Sequence, residues 1–240
     1  MPSARRTFLA KSTVIAAGPV LAAISGLNSS AMSQENAQLR EQDKQSPILP
    51  AELLMREHGV MGRILLVYEE AVRRLRMKEE LPPNGLQDAA KLTRKFFEDH
   101  HVKIEEELLF HQLIRRKLLN DTITVLTKQH ESGRKLTDEI LQLSTADQLA
   151  KPGNTEKLIA AVEAYNRMYR AHIAREDTVF YPMLAKVYTT SELKSFADQI
   201  SEREDKLFGA KGFEKLVEEV DAIEKRFKVD DLDSFTPRAN

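Results

Sequence analysis

The chain has 240 residues, of which 42% are hydrophobic and 30% charged, and this composition fits one domain, or one domain with an appendage. The formal net charge of -1 argues against a nucleic-acid-binding protein, which normally carries a basic patch or stripe. Because the chain has no cysteine, disulfides, thiolate metal ligands and cysteine nucleophiles are all excluded.

Residues 1–31 have the composition of an export signal peptide. The pair Arg5-Arg6 precedes a short apolar run over residues 13–27, and a small-x-small cleavage pattern ends at Ala31. The pair followed by "TFL" resembles the bacterial twin-arginine signal, whose pathway exports folded proteins; a Sec signal or an uncleaved anchor is the alternative. The apolar run is too short for a comfortable membrane span. We therefore expect a periplasmic or otherwise extracytoplasmic protein, with no stable membrane span after signal removal.

Beyond a polar linker over residues 32–49, apolar residues recur at spacings of three and four, which is typical of helices. Breakers such as "LPPNG" and "KPGN" separate the periodic stretches. The predicted helices cover residues 50–80, 86–119, 120–144, 155–187, 190–208 and 212–227. No alternating strand pattern of convincing length is present, so the predicted fold class is all-α.

Four long helices joined by short loops favour an antiparallel up-down four-helix bundle, here over residues 50–188. Such bundles place metals and ligands in their core, on side chains from facing helices. Residues 189–240 are expected to form a C-terminal helical extension with two additional helices that lie against the bundle.

Two stretches, "HVKIEEELLFHQL" and "HIAREDTVFYPML", carry the same pattern. In each, a histidine is followed four residues later by a glutamate: His101 by Glu105, and His172 by Glu176. At this spacing the two side chains lie on one face of a helix, one turn apart. A single such pair is often only a surface pair, but its repetition indicates two equivalent helical hairpins.

Each pair is preceded, at nearly the same distance, by a lone histidine: His58 in "REHGVMGRI" and His130 in "KQHESGRKL". Packing of antiparallel helices would bring four imidazoles and two carboxylates to one level of the core. Because buried ionisable groups need partners, this cluster predicts bound cations. The predicted metal ligands are His58, His101, Glu105, His130, His172 and Glu176.

The ligand types indicate which metal is bound. Imidazole with carboxylate suits iron or manganese, two carboxylates can bridge two cations, and one tetrahedral zinc uses fewer ligands. "HESGR" has Arg134 where the zinc-protease motif His-Glu-x-x-His needs its second histidine. The ferritin-like diiron enzymes use Glu-x-x-His, in the opposite order. We therefore expect two non-haem iron ions, with manganese or zinc less favoured.

The segments "REHG", "DHHVKIEEELLF", "KQHESGRKL" and "AHIAREDTVFYPML" resemble hemerythrin-like proteins of the HHE cation-binding family. The resemblance implies a four-helix bundle around a diiron centre, with Glu105 and Glu176 as bridges and the four histidines as terminal ligands. The third helix departs from the oxygen-carrying hemerythrins, which bring two histidines four residues apart there. Here His130 has Leu126 and Arg134 at those positions, and the missing ligand favours redox chemistry over simple reversible oxygen carriage.

Neighbouring residues carry weaker signals. His100 points about 100° away from His101 on an α-helix and is expected to pack beside the ligands. Glu106 and Glu107 are expected on a solvated face, although Glu106 could accept a hydrogen bond from a ligating imidazole. The tyrosines are expected in the core, where one hydroxyl could lie near a bound diatomic molecule.

Three functions fit these patterns. The first is a non-catalytic, exported diiron protein that binds a diatomic ligand, oxygen or nitric oxide, for storage, sensing or scavenging. The second is a diiron oxidoreductase that reduces peroxide, oxygen or nitric oxide, or oxidises ferrous iron. The third is a zinc-binding or metal-free interaction module. The sequence favours the first, and it leaves open the small molecule, the electron donor and the oligomeric state.

Overall fold

The structure is a computed structural model that describes residues 49–237. The predicted export signal, with its cleavage site at Ala31, and the linker up to residue 48 lie outside the described residues. Within the described part the chain is all-helical, without strands, so the predicted fold class is confirmed. No helix of this part has the length and apolar character needed to cross a bilayer.

Seven helices follow one another within residues 49–237. They are α1 (Pro50–Met77), α2 (residues 85–115), α3 (Asn120–Leu143), α4 (Ala146–Leu149), α5 (residues 154–187), α6 (Thr190–Phe208) and α7 (Gly212–Phe227). A 3-10 turn, Leu232–Phe235, comes last. The sequence missed the short α4, and α2 ends before the predicted Leu119 because Lys117 and Leu119 take left-handed backbone angles.

Local signals set the ends of the helices. Pro50 opens α1, where its fixed φ suits the first helical position, and Glu52 accepts a hydrogen bond from the backbone N–H of Leu49 at 3.0 Å. Helix α6 begins with a capping box, in which Thr189 and Glu192 each accept from the other's backbone N–H.

Helices α2 and α5 are not uniform α-helices. In α2, π-helical turns cover Thr93–His101 and Glu105–Phe110, and in α5 one covers Glu176–Phe180. These turns contain or adjoin both His-x-x-x-Glu pairs, as π turns often do at functional sites. A π turn is wider and rotates the chain less per residue, which agrees with the burial of both His100 and His101.

The four long helices pack on one another. Helix α3 packs against α2 and α5, and α1 packs against the same two helices. The C-terminal helices α6 and α7 both lie against α1, and α7 also contacts α2. The extension is therefore part of the same packed unit as the long helices.

Two apolar clusters fill the interior, and each long helix contributes to both. On α1 the change from one cluster to the other falls between Leu54 and Val60, and on α3 it falls between Leu126 and Ile140. On α5 it falls between Tyr169 and Phe180. His58 lies in the first of these gaps, His130 in the second, and His172 with Glu176 in the third, so a polar layer lies between two apolar cores.

Gly133 on α3 allows a close approach to Tyr169 on α5. A Cβ at Gly133 would lie 2.9 Å from Cε2 and 3.0 Å from Cζ of Tyr169, whose ring is stacked on Tyr165. We expect Gly133→Ala to lower the free energy of unfolding by about 1–3 kcal/mol because the ring cannot move aside. Chemical denaturation measures this loss.

Gly62→Ala is the matched control. Nothing lies within 4 Å of a Cβ at Gly62, so alanine there should raise stability by about 0.5–1 kcal/mol through helix propensity. An equal increase in the free energy of unfolding of both variants would show that the contact with Tyr169 does not require glycine at position 133.

Candidate metal centre

The six side chains predicted from the sequence lie together in the polar layer. They form two groups of four, and in each group the potential ligand atoms lie within 4.8 Å of one another. One group is His58, His101, Glu105 and Glu176, and the other is Glu105, His130, His172 and Glu176. All six side chains are at most 3% exposed. Glu105 and Glu176 belong to both groups.

Glu105 lies between one histidine of each group. Its Oε1 is 3.7 Å from Nε2 of His101, and its Oε2 is 3.3 Å from Nε2 of His130. Tyr181 donates a hydrogen bond of 2.6 Å from its hydroxyl to Oε1. The carboxylate therefore faces both groups at once and is oriented by a buried phenol, a contact that the sequence did not predict.

Glu176 occupies the equivalent place between the other two histidines. Its Oε2 is 3.0 Å from Nε2 of His172 and 3.4 Å from Nε2 of His58. Burial would raise the pKa of Glu176, but the nearby imidazoles of His172 and His58 lower it below its usual range. The carboxylate is therefore a charged group in a buried layer.

Several atoms of this layer have no hydrogen-bond partner among the described residues. They are Oε2 of Glu105, both carboxylate oxygens of Glu176 and Nε2 of His101. Leaving a buried polar or charged atom unpaired costs free energy, more so for charged groups. Imidazole nitrogen and carboxylate oxygen are ligand types of transition metals, so a cation in each group would compensate these atoms. The residues present fit a metal centre.

Each of the four imidazoles forms a hydrogen bond through its other ring nitrogen, Nδ1. The distance from Nδ1 to a side-chain oxygen is 2.7 to 3.1 Å. This bond fixes the ring and leaves Nε2 directed into the layer. The pairs are His58 with Asp177, His101 with Glu57, His130 with Glu106, and His172 with Gln129.

These four pairs form a closed ring around the helices. Helix α1 supplies the oxygen that holds the histidine of α2, α2 supplies that of α3, α3 supplies that of α5, and α5 supplies that of α1. Each oxygen comes from the residue beside a predicted ligand on its own helix. The sequence suggested only Glu106 for this role. Adjacency to a ligand was the signal that could have found Glu57, Gln129 and Asp177.

Carboxylates around His58 and His130 favour positive charge on these two imidazoles. Burial alone would lower the pKa of His58, but the hydrogen bond to Asp177 and the nearby negative charge of Glu176 outweigh it and raise the pKa to about 10. Glu105 and Glu106 act likewise on His130, whose pKa rises to about 9 despite burial. The carboxylates of the layer thus favour positive charge there, carried by protons or by metal cations that displace them.

Aromatic rings close the layer on both sides. Phe97 stacks on His101 with ring centroids 4.6 Å apart, and Phe110 stacks on His130 at 5.6 Å. Tyr169 lies 5.3 Å from His172, and Tyr181 lies 5.5 Å from His58. Such walls limit the entry of water and of bulky molecules.

The remaining histidines lie outside both groups. His111 is exposed, and its Nδ1 donates to the backbone oxygen of Glu106 at 2.6 Å. His100 is buried and faces Glu57 and Glu204. Glu107 is exposed, as expected, and pairs with Arg203.

Glu98 is a buried carboxyl beside the centre with an unusual titration. Its Oε1 accepts a hydrogen bond from Thr137 at 2.5 Å and its Oε2 lies 2.7 Å from Nη1 of Arg94, but burial outweighs both contacts and raises its pKa from 4.5 to about 7. A raised carboxyl pKa gives stability that is present below pH 4.5 and lost as pH rises through 7. Between pH 5 and pH 8, we expect the free energy of unfolding of the wild type to fall by roughly 2–3 kcal/mol relative to that of the Glu98→Gln variant.

Denaturation of both proteins at several pH values measures this change. Glu70→Gln is the control, because hydrogen bonds from Arg73 hold the pKa of Glu70 below its usual value and the group stays ionised over this range. A stability difference for Glu98→Gln that does not vary with pH would contradict the expectation.

Comparison with known proteins agrees with this geometry. The family model of the hemerythrin HHE cation binding domain matches residues 49–184. That range contains all six residues of the two groups and the four oxygens that hold the imidazoles. It ends before α6 and α7.

Similar proteins occur in mycobacteria. Uncharacterized proteins of Mycobacterium tuberculosis H37Rv, Mycobacterium tuberculosis CDC 1551 and Mycobacterium bovis are each 39% identical to this chain over 195 residues. The aligned region covers 81% of this chain and 76% of each relative. Among solved structures, none matches the chain.

Proposed function

The chain belongs to the hemerythrin HHE cation-binding family, and we propose that it is an exported non-haem diiron protein that binds a diatomic ligand. Its long helices would form an antiparallel four-helix bundle over residues 50–188. The basic and apolar composition of residues 1–31 supports export by the twin-arginine route to the periplasm or another extracytoplasmic space.

The observation that carries the proposal is the sharing of Glu105 and Glu176 between two groups of ligand atoms. In the proposed centre, His58 and His101 would hold one iron, and His130 and His172 would hold the other. Glu105 and Glu176, which belong to both groups, would be shared ligands of the two. Manganese or zinc would meet the same ligands, but mixed imidazole and carboxylate ligation with shared carboxylates suits a pair of irons best.

The surroundings support a small ligand. Two imidazoles and two shared carboxylates would leave coordination positions open at each iron, and iron bound there would supply redox chemistry towards a diatomic molecule. The rings of Phe97 and Phe110, stacked on His101 and His130, give the layer apolar walls, which favour a small ligand. The hydroxyl of Tyr181, which donates to Oε1 of Glu105 and lies 3.5 Å from Nε2 of His58, places a polar group inside the layer.

A diiron oxidoreductase is the second candidate, and one observation favours it. Helix α3 brings a single histidine to the layer: Leu126 is part of the apolar core, and Arg134 donates to Glu106 at 3.0 Å. The centre therefore has one ligand fewer than an oxygen carrier of the family, and a more open centre suits turnover. Its substrate would be peroxide, oxygen, nitric oxide or ferrous iron.

The reaction of the reduced, iron-loaded protein with oxygen and with nitric oxide separates these functions. The proposal predicts a coloured adduct that is stable and reverses under vacuum. Repeated oxidation in the presence of a reductant would support the oxidoreductase instead. Stoichiometric zinc in protein from iron-replete cells would contradict both and leave a zinc-binding or interaction module.

A further inference from the structure

A second polar cluster lies beside the centre, between α1, α2 and α6. Glu57, His100 and Glu204 bring potential ligand atoms within 4.8 Å of one another, and all three side chains are buried. Two of them belong to the long helices and the third to the C-terminal extension. Glu204 lies beyond the residues that the family model matches.

The imidazole of His100 is unsatisfied. It is 1% exposed, and neither ring nitrogen has a hydrogen-bond partner among the described residues. Phe96 and Phe208 enclose the ring, with centroids 5.4 and 5.3 Å away, and offer it no acceptor. Its Nε2 lies 3.6 Å from Oε1 of Glu57, beyond hydrogen-bond distance. A buried imidazole in this state needs a partner.

The carboxylates around His100 are also incompletely paired. Oε1 of Glu57 is buried without a partner, while its Oε2 holds His101. Glu204 is paired with Arg56 at 2.6 Å. The cluster therefore contains two carboxylates, those of Glu57 and Glu204, and one guanidinium, that of Arg56. This excess of negative charge favours a bound cation.

We propose that Glu57, His100 and Glu204 form a third cation site, distinct from the proposed iron pair. One imidazole with two carboxylates selects a divalent first-row transition ion over magnesium or calcium, which prefer oxygen ligands only. Arg56, whose guanidinium lies 4.2 Å above the ring of Phe213, stands at the half-exposed side of the site. Glu57 links the two metal sites because its second oxygen orients His101.

Metal counting with Co²⁺ as the probe tests this site. The apo-protein is titrated without oxygen, and bound metal is measured after dialysis. The wild type is expected to bind three equivalents and Glu204→Gln two. His100→Gln, which keeps a polar side chain, should also bind two. The double variant with Glu105→Ala and Glu176→Ala should keep about one equivalent of Co²⁺. Loss of the proposed iron pair is therefore distinguishable from loss of the third site.

Glu224→Gln is the matched control. Glu224 is a buried carboxylate of α7 that pairs with Arg63 of α1, much as Glu204 of α6 pairs with Arg56, but it has no histidine beside it. This variant should bind as many equivalents as the wild type. The proposal is overturned if Glu204→Gln and the wild type bind equally, if Glu204→Gln loses every equivalent, or if Glu224→Gln also loses one.

Discussion

Glu105→Ala and Glu176→Ala are each expected to lose both cations of the proposed pair, with affinity reduced more than about 100-fold. Substitutions that only disturb the orientation of a ligand typically cost 10–100-fold in metal affinity, and removal of a shared ligand should exceed that. Each carboxylate belongs to both groups of ligand atoms, so one substitution affects both cations. Metal analysis of the folded variants measures the loss.

Glu107→Ala provides the comparison for these two variants. Glu107 lies two residues from Glu105 on the same helix, but it is exposed and pairs with Arg203 at 2.9 Å. The Glu107→Ala variant should bind as much metal as the wild type does. Retention of both cations by Glu105→Ala would show that the carboxylates are not shared ligands.

Removal of the metal with a chelator is expected to lower the melting temperature by roughly 15 °C or more. A ligand at 1,000 times its Kd stabilises a protein by about 4 kcal/mol, and two cations act together here. For a domain of this size, each kcal/mol corresponds to about 2–4 °C. Without cations, Glu105 and Glu176 keep buried oxygens that no other described group satisfies.

The double variant with Glu105→Ala and Glu176→Ala calibrates this experiment. Its melting temperature should respond much less to the chelator, since the pair is already lost. An equal response in the wild type and the double variant would place the stabilising cations elsewhere in the protein. Calorimetry with and without chelator provides the comparison.

The helices and the six residues of the centre could be predicted because their signals are local. Apolar spacing of three and four identifies each long helix, and a histidine four residues before a glutamate places both on one face. The repetition of the pattern then relates His58 to His130 across the two hairpins. The structure brings these six side chains into one layer.

The rest depends on contacts between helices, which spacing along one helix does not contain. The π turns of α2 place His100 in the interior, where an ideal α-helix would turn it away from His101. The cluster of His100 with Glu57 and Glu204 joins residues from three helices, one of them in the C-terminal extension. Of the four oxygens that hold the imidazoles, the sequence suggested only that of Glu106, because each of these hydrogen bonds joins two helices.

X-ray diffraction from crystals of the iron-loaded protein, recorded at the iron absorption edge, locates the metal directly. Two strong anomalous peaks are expected, one beside His58 and His101 and the other beside His130 and His172, with Glu105 and Glu176 in contact with both. A single peak in this layer, or none, would contradict a diiron centre built from these six side chains.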